Sequence, residues 1–173
     1  MTEDRLKIVV FGSFNAGKST LIHTLDPEAR HTEVDIIGGT TTVALDFGRT
    51  FIGDRHIYIF GTPGQERFEF AREIISRGID GAIVMVDATA DVDEFTGHIC
   101  RWLHDAGIPR VLALNKCDCG AACPERIRTL FGPDEEVLCI SALSHDDAFR
   151  TLEHLVSHIH TCHVNHPSRH ESI

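Results

Sequence analysis

The stretch Gly12-Ser13-Phe14-Asn15-Ala16-Gly17-Lys18-Ser19 decides the fold of this 173-residue chain. It matches the pattern G-x-x-x-x-G-K-S, in which a glycine-bounded loop directs successive backbone N–H groups at the phosphates of a nucleotide. The pattern needs a strand before it and a helix after it, and the apolar run Leu6–Phe11 supplies the strand. Only three lysines occur in the chain, so the lysine at position 18 does not reflect a lysine-rich background. The stretch therefore predicts a phosphate-binding loop that opens a helix.

Apolar runs and amphipathic segments alternate outward from this loop, which is typical of strands joined by crossover helices. Most runs are continuously apolar, as expected of parallel strands that are buried on both faces. Val43–Ile52 alternates instead, and the two residues Gly53-Asp54 separate it from the next run, which indicates a hairpin. We therefore predict a three-layer α/β fold with a six-stranded, mostly parallel sheet, one antiparallel edge strand and about five helices. The predicted strands are 6–11, 43–52, 55–60, 81–86, 110–114 and 137–140.

Two helix boundaries are marked in the sequence. Phe95 and Ile99 fall on one face of a helix that Gly107 is predicted to end. Ser144, followed three residues later by Asp147, resembles a capping box that begins the last helix.

Size and charge limit the classes of function. The chain has a mass of 19.2 kDa, 42% hydrophobic residues and 16 basic against 26 acidic residues, a formal charge of -10. These values predict one domain, residues 1–162, followed by a polar, histidine-containing tail, residues 163–173, that is expected to be flexible. The acidic surplus argues against binding to nucleic acid or to an anionic membrane, since both need positive potential.

The compartment is predicted from the absence of a signal. The first residues are charged, no apolar stretch is long enough to span a membrane, and no lipidation motif occurs, so a cytoplasmic protein without a membrane anchor is expected. The six cysteines are accordingly predicted to be free thiols in a reducing compartment.

A second motif, Asn115-Lys116-Cys117-Asp118, follows a predicted strand, at the edge of the sheet where open α/β folds bind ligands. The carboxylate of Asp118 can accept hydrogen bonds from N1–H and the N2 amino group of guanine, a donor pair that adenine lacks. Ser141-Ala142-Leu143, just after the last predicted strand, offers a backbone N–H for guanine O6. Together the two motifs predict GTP and GDP as ligands. The predicted nucleotide-binding residues from these motifs are Gly12, Ser13, Phe14, Asn15, Ala16, Gly17, Lys18, Ser19, Thr20, Asn115, Lys116, Asp118, Ser141, Ala142 and Leu143.

These residues resemble the small Ras-like GTPases of the P-loop NTPase class, over roughly residues 5 to 162. Two further segments are similar to the switches of that family: the end of the first switch in Thr40–Phe47 and the second switch in Phe60–Phe68. With the phosphate loop, they look most like a prokaryotic branch related to the bacterial polarity and gliding GTPases. This resemblance implies the P-loop GTPase fold, or G domain, and a small roadblock-type protein as a regulatory partner, beside an unidentified effector.

The resemblance also implies roles for individual residues. Thr42 would complete the Mg²⁺ shell with Ser19 and sense the γ-phosphate, because its register before Val43 matches the family. Gly64 would contact the γ-phosphate through its N–H, and Gln65 would orient the attacking water. Gln65, Lys18 and Thr42 are thus the implied catalytic residues, and Mg²⁺ is the implied cofactor.

Three residues depart from the family pattern. Gly61 stands where the family has an aspartate that holds the Mg²⁺ water shell. Mg²⁺ is then bound either by Ser19, Thr42 and the phosphates alone or with a second carboxylate. Asp87 is the nearest candidate for that carboxylate, although a structural Asp that caps the following turn is the favoured interpretation. Phe14 replaces a small residue and should crowd an arginine inserted by an activating partner. Asn15 stands where potassium-activated GTPases also carry Asn, so a K⁺ ion is the less favoured alternative to a loop-stabilising role.

Other features of the sequence suggest metal sites that we do not favour. Cys117, Cys119 and Cys123 do not have the spacing of a standard zinc site. His154 and His158 share one helical face that could bind metal, and a solvated surface is the prediction. The acidic run 134–136 is predicted to be a solvated loop.

The sequence as a whole predicts a GTP-binding switch that hydrolyses GTP slowly and is stimulated by a partner. The alternative is a nucleotide-binding regulatory module with little or no GTPase activity, suggested by Gly61 and Phe14.

Overall fold

A computed structural model describes residues 5–35, 42–62, 78–120, 124–132 and 135–165. Within these ranges a seven-stranded sheet has the order β2-β3-β4-β1-β5-β6-β7. The strands are β1 (Arg5–Gly12), β2 (Arg30–Asp35), β3 (Thr42–Ile52), β4 (Arg55–Gly61), β5 (Gly81–Asp87), β6 (Arg110–Asn115) and β7 (Val137–Cys139). The described α-helices are α1 (Lys18–Leu25), α2 (Glu94–Asp105), α3 (Pro124–Phe131) and α4 (His145–Asn165).

The predicted α/β architecture is confirmed, and the strand count is corrected. β3 runs antiparallel to β4 through a two-residue turn at Gly53-Asp54, in which Ile52 pairs with Arg55. β2 lies outside β3 and pairs with it antiparallel, so the sheet has seven strands rather than six. β2 was missed because its sequence, RHTEVD, holds a single aliphatic residue. Charged residues are common on edge strands because they discourage pairing with another chain.

The central strand β1 shows why the sheet carries helices on both faces. Ile8 and Val10 belong to one buried cluster, and Val9 and Phe11 belong to the other, because successive side chains of a strand point to opposite faces. The first cluster is closed by α1 and α4, and the second is closed by α2 and α3. All four of these β1 residues are fully buried, as expected of a strand inside a three-layer fold.

The two predicted helix boundaries are found in the structure. α2 ends at Asp105, and Gly107 then donates its N–H to the carbonyl of His104 with a positive φ of 63°. At the start of α4, the Ser144 hydroxyl accepts the N–H of Asp147 at 3.3 Å. The carboxylate of Asp147 accepts the N–H of Ser141 at 2.8 Å, so the acidic half of the capping box fixes the preceding loop. No helix in the described ranges has both the length and the apolarity needed to span a bilayer.

Candidate functional site

The phosphate loop connects the carboxyl end of β1 to the first residue of α1. Gly17 adopts a left-handed backbone with φ 101°, and a Cβ atom built on it would lie 2.2 Å from the Asn115 amide nitrogen. A side chain is therefore excluded here both by conformation and by space. The Lys18 ammonium donates to the carbonyl oxygens of Gly12 and Ser13, each at 2.7 Å, so it lies over the loop. The loop and the helix N-terminus together form a cradle suited to phosphate.

Two effects on the pKa of Lys18 oppose each other. Burial lowers the pKa of the Lys18 ammonium, and the nearby carboxylates of Asp46 and Asp93 offset part of that effect. Asp93 also accepts a hydrogen bond from the Ser13 hydroxyl and caps α2 through the N–H of Thr96 at 2.8 Å. Asp93 thus ties the phosphate loop to the start of α2.

Asn115 ends β6 and joins the base motif to the phosphate loop. It is buried, its amide nitrogen donates to the Ala16 carbonyl at 2.9 Å, and its oxygen accepts the N–H of Ala142 at 2.7 Å. The sequence therefore places one amide where it binds two segments that are far apart in the chain. Thr24 of α1 adds a bond from its hydroxyl to the Ala142 carbonyl at 2.7 Å.

The side chains of Lys116 and Asp118, the other two polar residues of the base motif, have different surroundings. Lys116 has a left-handed backbone with φ 67°, and its ammonium pairs with Asp87. Asp118 lies in a 3₁₀ turn, Cys117–Cys119, and lines the cavity described below. Its carboxylate is thereby available for a base.

The carboxylate of Asp87 is engaged by Thr89 and Lys116. Its carboxylate accepts the N–H of Thr89 at 2.8 Å and the Thr89 hydroxyl at 2.6 Å, and it pairs with Lys116. Burial by itself would raise the pKa of Asp87, but the bonds from Lys116 and Thr89 outweigh burial and lower it. Asp87 therefore caps the turn after β5, which is the interpretation that the sequence favoured.

The Ser141–Leu143 loop offers one N–H group to a base. The N–H of Ser141 is bound to Asp147, and the N–H of Ala142 is bound to Asn115. Leu143 is 78% exposed, and its N–H has no acceptor in the described part of the chain.

One cavity of about 620 Å³ joins the loop, the base motif and the β3–β4 pair. Most of the predicted nucleotide-binding residues line it, whereas Gly12, Ser13 and Ala16 of the same loop are not among its lining residues. The lining residues from the prediction are Phe14, Asn15, Gly17, Lys18, Ser19, Thr20, Asn115, Lys116, Asp118, Ser141, Ala142 and Leu143. Further lining residues, which the sequence did not assign to the nucleotide, are His31, Asp46, Gly61, Thr62 and Cys119.

Asp46 is the functional candidate that sequence reasoning missed. It pairs with Gly61 across β3 and β4, and the Ser19 hydroxyl donates to its Oδ2. Its Oδ1 is buried and accepts no hydrogen bond among the described residues, although His31 Nδ1 lies 2.6 Å away without hydrogen-bond alignment. A Cβ on Gly61 would lie 3.2 Å from the Asp46 Cβ, so the glycine makes room for this carboxylate. The only signal in the sequence was that Asp46 is an acidic residue between Ala44 and Gly48, which share its face of the predicted strand.

Several implied residues fall outside the described parts. Gly64, Gln65 and most of the second switch lie between residues 62 and 78. Thr42 is described through its backbone, which pairs with Asp35 at the start of β3.

Phe14 and Asn15 form the outer lip of the phosphate loop. Phe14 is 80% exposed and lines the mouth of the cavity. Asn15 is exposed with a left-handed φ of 63°, a conformation that Asn adopts more readily than most residues. The backbone geometry favours the loop-stabilising role for Asn15.

The described cysteines are free thiols, as predicted, and form no zinc cluster among the described residues. Burial is the main cause that raises the pKa of Cys117 to about 11, and a contact with Cys139 contributes less. Its Sγ contacts the Leu114 carbonyl oxygen at 3.0 Å.

Comparison with known proteins agrees with this geometry. The chain is 38% identical over 120 residues to the uncharacterized protein MJ1339 of Methanocaldococcus jannaschii, covering 69% of this chain and 75% of that protein. It is 33% identical over 162 residues to GTPase Der of Agathobacter rectalis, covering 82% of this chain but 36% of that protein.

A solved structure shows the same fold. The G domain of the T. maritima FeoB iron transporter superposes with a TM-score of 0.69 at 17% identity, covering 89% of this chain and 98% of that domain. The model of the elongation factor Tu GTP binding domain matches residues 3–161. With its phosphate loop and base motif lining one cavity, this chain belongs to that family and is a P-loop G domain that binds GTP.

Proposed function

We propose that this protein is a molecular switch that binds GTP and hydrolyses it to GDP and phosphate. The observation that carries the proposal is the shared cavity, in which the phosphate loop, Asp118 and the Ser19–Asp46 pair face one space. Phosphates placed on the loop would bring the guanine toward Asp118 and the N–H of Leu143. Relatives such as GTPase Der support GTP turnover as the activity of the family.

Ser19 of α1 and Asp46 of β3 suit a magnesium ion. Ser19 supplies a hydroxyl, and Asp46 supplies a carboxylate whose Oδ1 is buried without a hydrogen bond among the described residues. Hard divalent cations prefer such oxygen ligands. We assign Ser19 and Asp46 to Mg²⁺, with Thr42 as the further ligand implied by the family. Bound there, Mg²⁺ would offset the negative charge of the phosphates.

In the proposed mechanism, a residue of the second switch positions the water that hydrolyses GTP. Gln65 orients a water molecule whose oxygen bonds to the γ-phosphorus while the bond from that phosphorus to the β–γ bridging oxygen breaks, giving GDP and phosphate. Lys18 stabilises the negative charge of the β- and γ-phosphates. The N–H of Gly64 and the hydroxyl of Thr42 respond to the γ-phosphate, and its loss releases both switches.

Turnover by the protein alone is expected to be slow. Phe14 projects at the mouth of the cavity, so an arginine from an activating protein would meet its ring. Stimulation would then come from a partner that repositions Gln65, and the resemblance to the polarity and gliding branch favours a roadblock-type protein. A K⁺ ion at Asn15 is the less favoured alternative, and equal turnover in K⁺ and Na⁺ buffers would eliminate it.

Single-turnover hydrolysis tests the proposal. Purified protein loaded with GTP should convert it to GDP only when Mg²⁺ is present, and Gln65→Leu should slow this step at least about a hundredfold, since positioning the attacking water is its assigned role. A hydrolysis rate that is unchanged by both magnesium and the substitution would support the inert nucleotide-binding module instead.

Nucleotide preference is a separate measurement. Asp118→Ala should lose the preference for GDP over ADP, because adenine offers no donor pair to this carboxylate. An unchanged preference would contradict the assignment of Asp118 and leave an ATPase as the better description.

A further inference from the structure

A cluster distant in sequence from the nucleotide motifs brings together two histidines and one glutamate. His154 and His158 stand four residues apart on α4, and their ring centroids are 4.7 Å apart. Both direct Nε2 at the carboxylate of Glu136: His158 Nε2 lies 2.9 Å from Oε2, and His154 Nε2 contacts Oε1. Glu135 and Glu136, the described part of the acidic run 134–136, are therefore not the solvated residues that the sequence predicts, because Glu136 is half-buried against α4 and Glu135 pairs with Arg110 at 2.7 Å.

The backbone on each side of the cluster is fixed. The carbonyl of Glu136 accepts the N–H of Leu112 on β6 at 3.0 Å, which anchors this residue at the entrance of β7. On α4, Leu155 and Ile159 are buried in the core, so the helix cannot rotate to carry the histidines elsewhere. Three potential ligands thus project from rigid elements, as a preorganised metal site requires.

We propose that Glu136, His154 and His158 form a binding site for a divalent transition-metal ion of the zinc class. The candidate ligand atoms all lie within 4.8 Å of one another. Tetrahedral zinc, with bonds of about 2.0 Å, holds its ligands about 3.3 Å apart, so small side-chain rotations suffice. Imidazole nitrogen favours zinc, nickel or copper over magnesium, which separates this site from the oxygen-lined one at Asp46.

The charges and protonation of the three proposed ligands are compatible with a bound divalent cation. One carboxylate and two neutral imidazoles would leave a bound divalent ion with a net charge of about +1, on a chain whose formal charge is -10. Zinc binds the lone pair of a neutral imidazole, so a proton carried on either Nε2 would move to Nδ1 or to solvent when the metal binds. Three protein ligands leave a fourth position for water or an outside ligand. Bound metal would link α4 to the entrance of β7.

Zinc titration of the full chain, after chelator treatment and in excess Mg²⁺, tests the proposal by calorimetry and thermal unfolding. We expect one zinc ion to bind and to raise the melting temperature of the wild type. His154→Gln combined with His158→Gln should weaken binding at least about tenfold and remove the thermal shift. Loss of a residue that only hydrogen-bonds a metal ligand already lowers metal affinity by about tenfold or more, and loss of the ligands themselves should cost no less. Glu136→Gln, which keeps the shape of the side chain, should also weaken binding.

Matched variants separate this cluster from other histidines. His23 and His31 lie near Asp46 in a second group, His163 occurs in the last turn of α4, and His166 and His170 follow that helix in the sequence. Replacing either set with glutamine should leave the zinc affinity within about twofold. Loss of binding in one of those variants, or unchanged binding in the His154/His158 variant, would overturn the proposal.

A spectroscopic measurement on the wild type keeps the proposal testable if the double variant does not fold. Bound Co²⁺ should show visible absorption without a thiolate charge-transfer band, because no cysteine belongs to the cluster. A thiolate band would place the metal on cysteines and overturn the assignment. This site does not depend on the proposed GTPase activity.

Discussion

Asp46 and Gly61 face each other across β3 and β4, and we propose that Asp46 supplies the carboxylate that position 61 lacks. The family pattern puts a carboxylate at the end of β4, whereas this chain has glycine there and aspartate at the paired position of β3. A Cβ at position 61 would lie 3.2 Å from the Asp46 Cβ, so a side chain at either position begins at nearly the same place and can direct a carboxylate toward Ser19. The absence of an acid at position 61 was visible in the sequence, but its replacement was visible only once the register of the hairpin was known.

Exchange of the two residues tests this compensation. Asp46→Gly should raise the Mg²⁺ concentration needed for half-maximal nucleotide retention at least about tenfold, because an ion site loses its only described carboxylate. The double variant D46G/G61D should recover part of the loss, since only the flexible end of Ile22, 2.9 Å from a Cβ at position 61, has to shift. Mg²⁺-dependent nucleotide dissociation rates measure both effects.

The control for the exchange is Asp54→Ala, which removes an exposed carboxylate from the β3–β4 turn. It should leave the Mg²⁺ dependence unchanged. An Asp46→Gly protein with the wild-type Mg²⁺ dependence would contradict the metal assignment.

At the scale of elements, three segments depend on one buried amide. Asn115 at the end of β6 bonds to Ala16 in the phosphate loop and to Ala142 after β7. The motif in the sequence predicted a nucleotide contact for this residue. The structure adds that its side chain holds the walls of the cavity together, so folding and binding share the same group.

Asn115→Ala should therefore destabilise the nucleotide-free protein. The change leaves a buried N–H and a buried carbonyl without partners, which costs about 2–4 kcal/mol of the free energy of unfolding. Thr24→Val is the matched control, because it removes one hydrogen bond to the same loop from a partly buried hydroxyl and should cost about 1 kcal/mol. Urea unfolding measures both, and equal losses would contradict a special role for Asn115.

β2 shows the limit of pattern reading for elements. A hydrophobic pattern identifies strands that are buried, and β1 and β5 were predicted for that reason. β2 takes its place through hydrogen bonds to β3 from Arg30 to Asp35, and such bonds leave no apolar signature in the sequence.

At the scale of the whole molecule, an acidic chain binds a polyanion. The formal charge of -10 argues against a broad positive surface, but the cavity combines backbone N–H groups, a helix end and Lys18 in one place. A local positive potential is enough for one nucleotide. Long nucleic acids and anionic membranes need an extended positive potential, so we predict that this protein binds neither.

Nucleotide binding should stabilise the entire domain. GDP with Mg²⁺ at 100 times its dissociation constant should add about 2.7 kcal/mol to the free energy of unfolding, because ligand binds only the folded state. For a domain of this size, that is a rise of about 5–10 °C in the melting temperature. ADP at the same concentration should leave it unchanged, and an equal rise with ADP would contradict guanine selectivity. Thermal unfolding followed by circular dichroism provides the measurement.

The sequence by itself determined the phosphate loop, the base motif, the buried strands and the resulting α/β class. Each of these depends on residues that are adjacent in the chain or that repeat with a fixed period, so local pattern is sufficient. Only the tertiary structure decided that Asp46 faces Ser19, that the edge strand is β2, and that Glu136 meets His154 and His158. Those contacts join residues far apart in the chain, and their geometry is set by strand register and helix packing, which local sequence patterns do not encode.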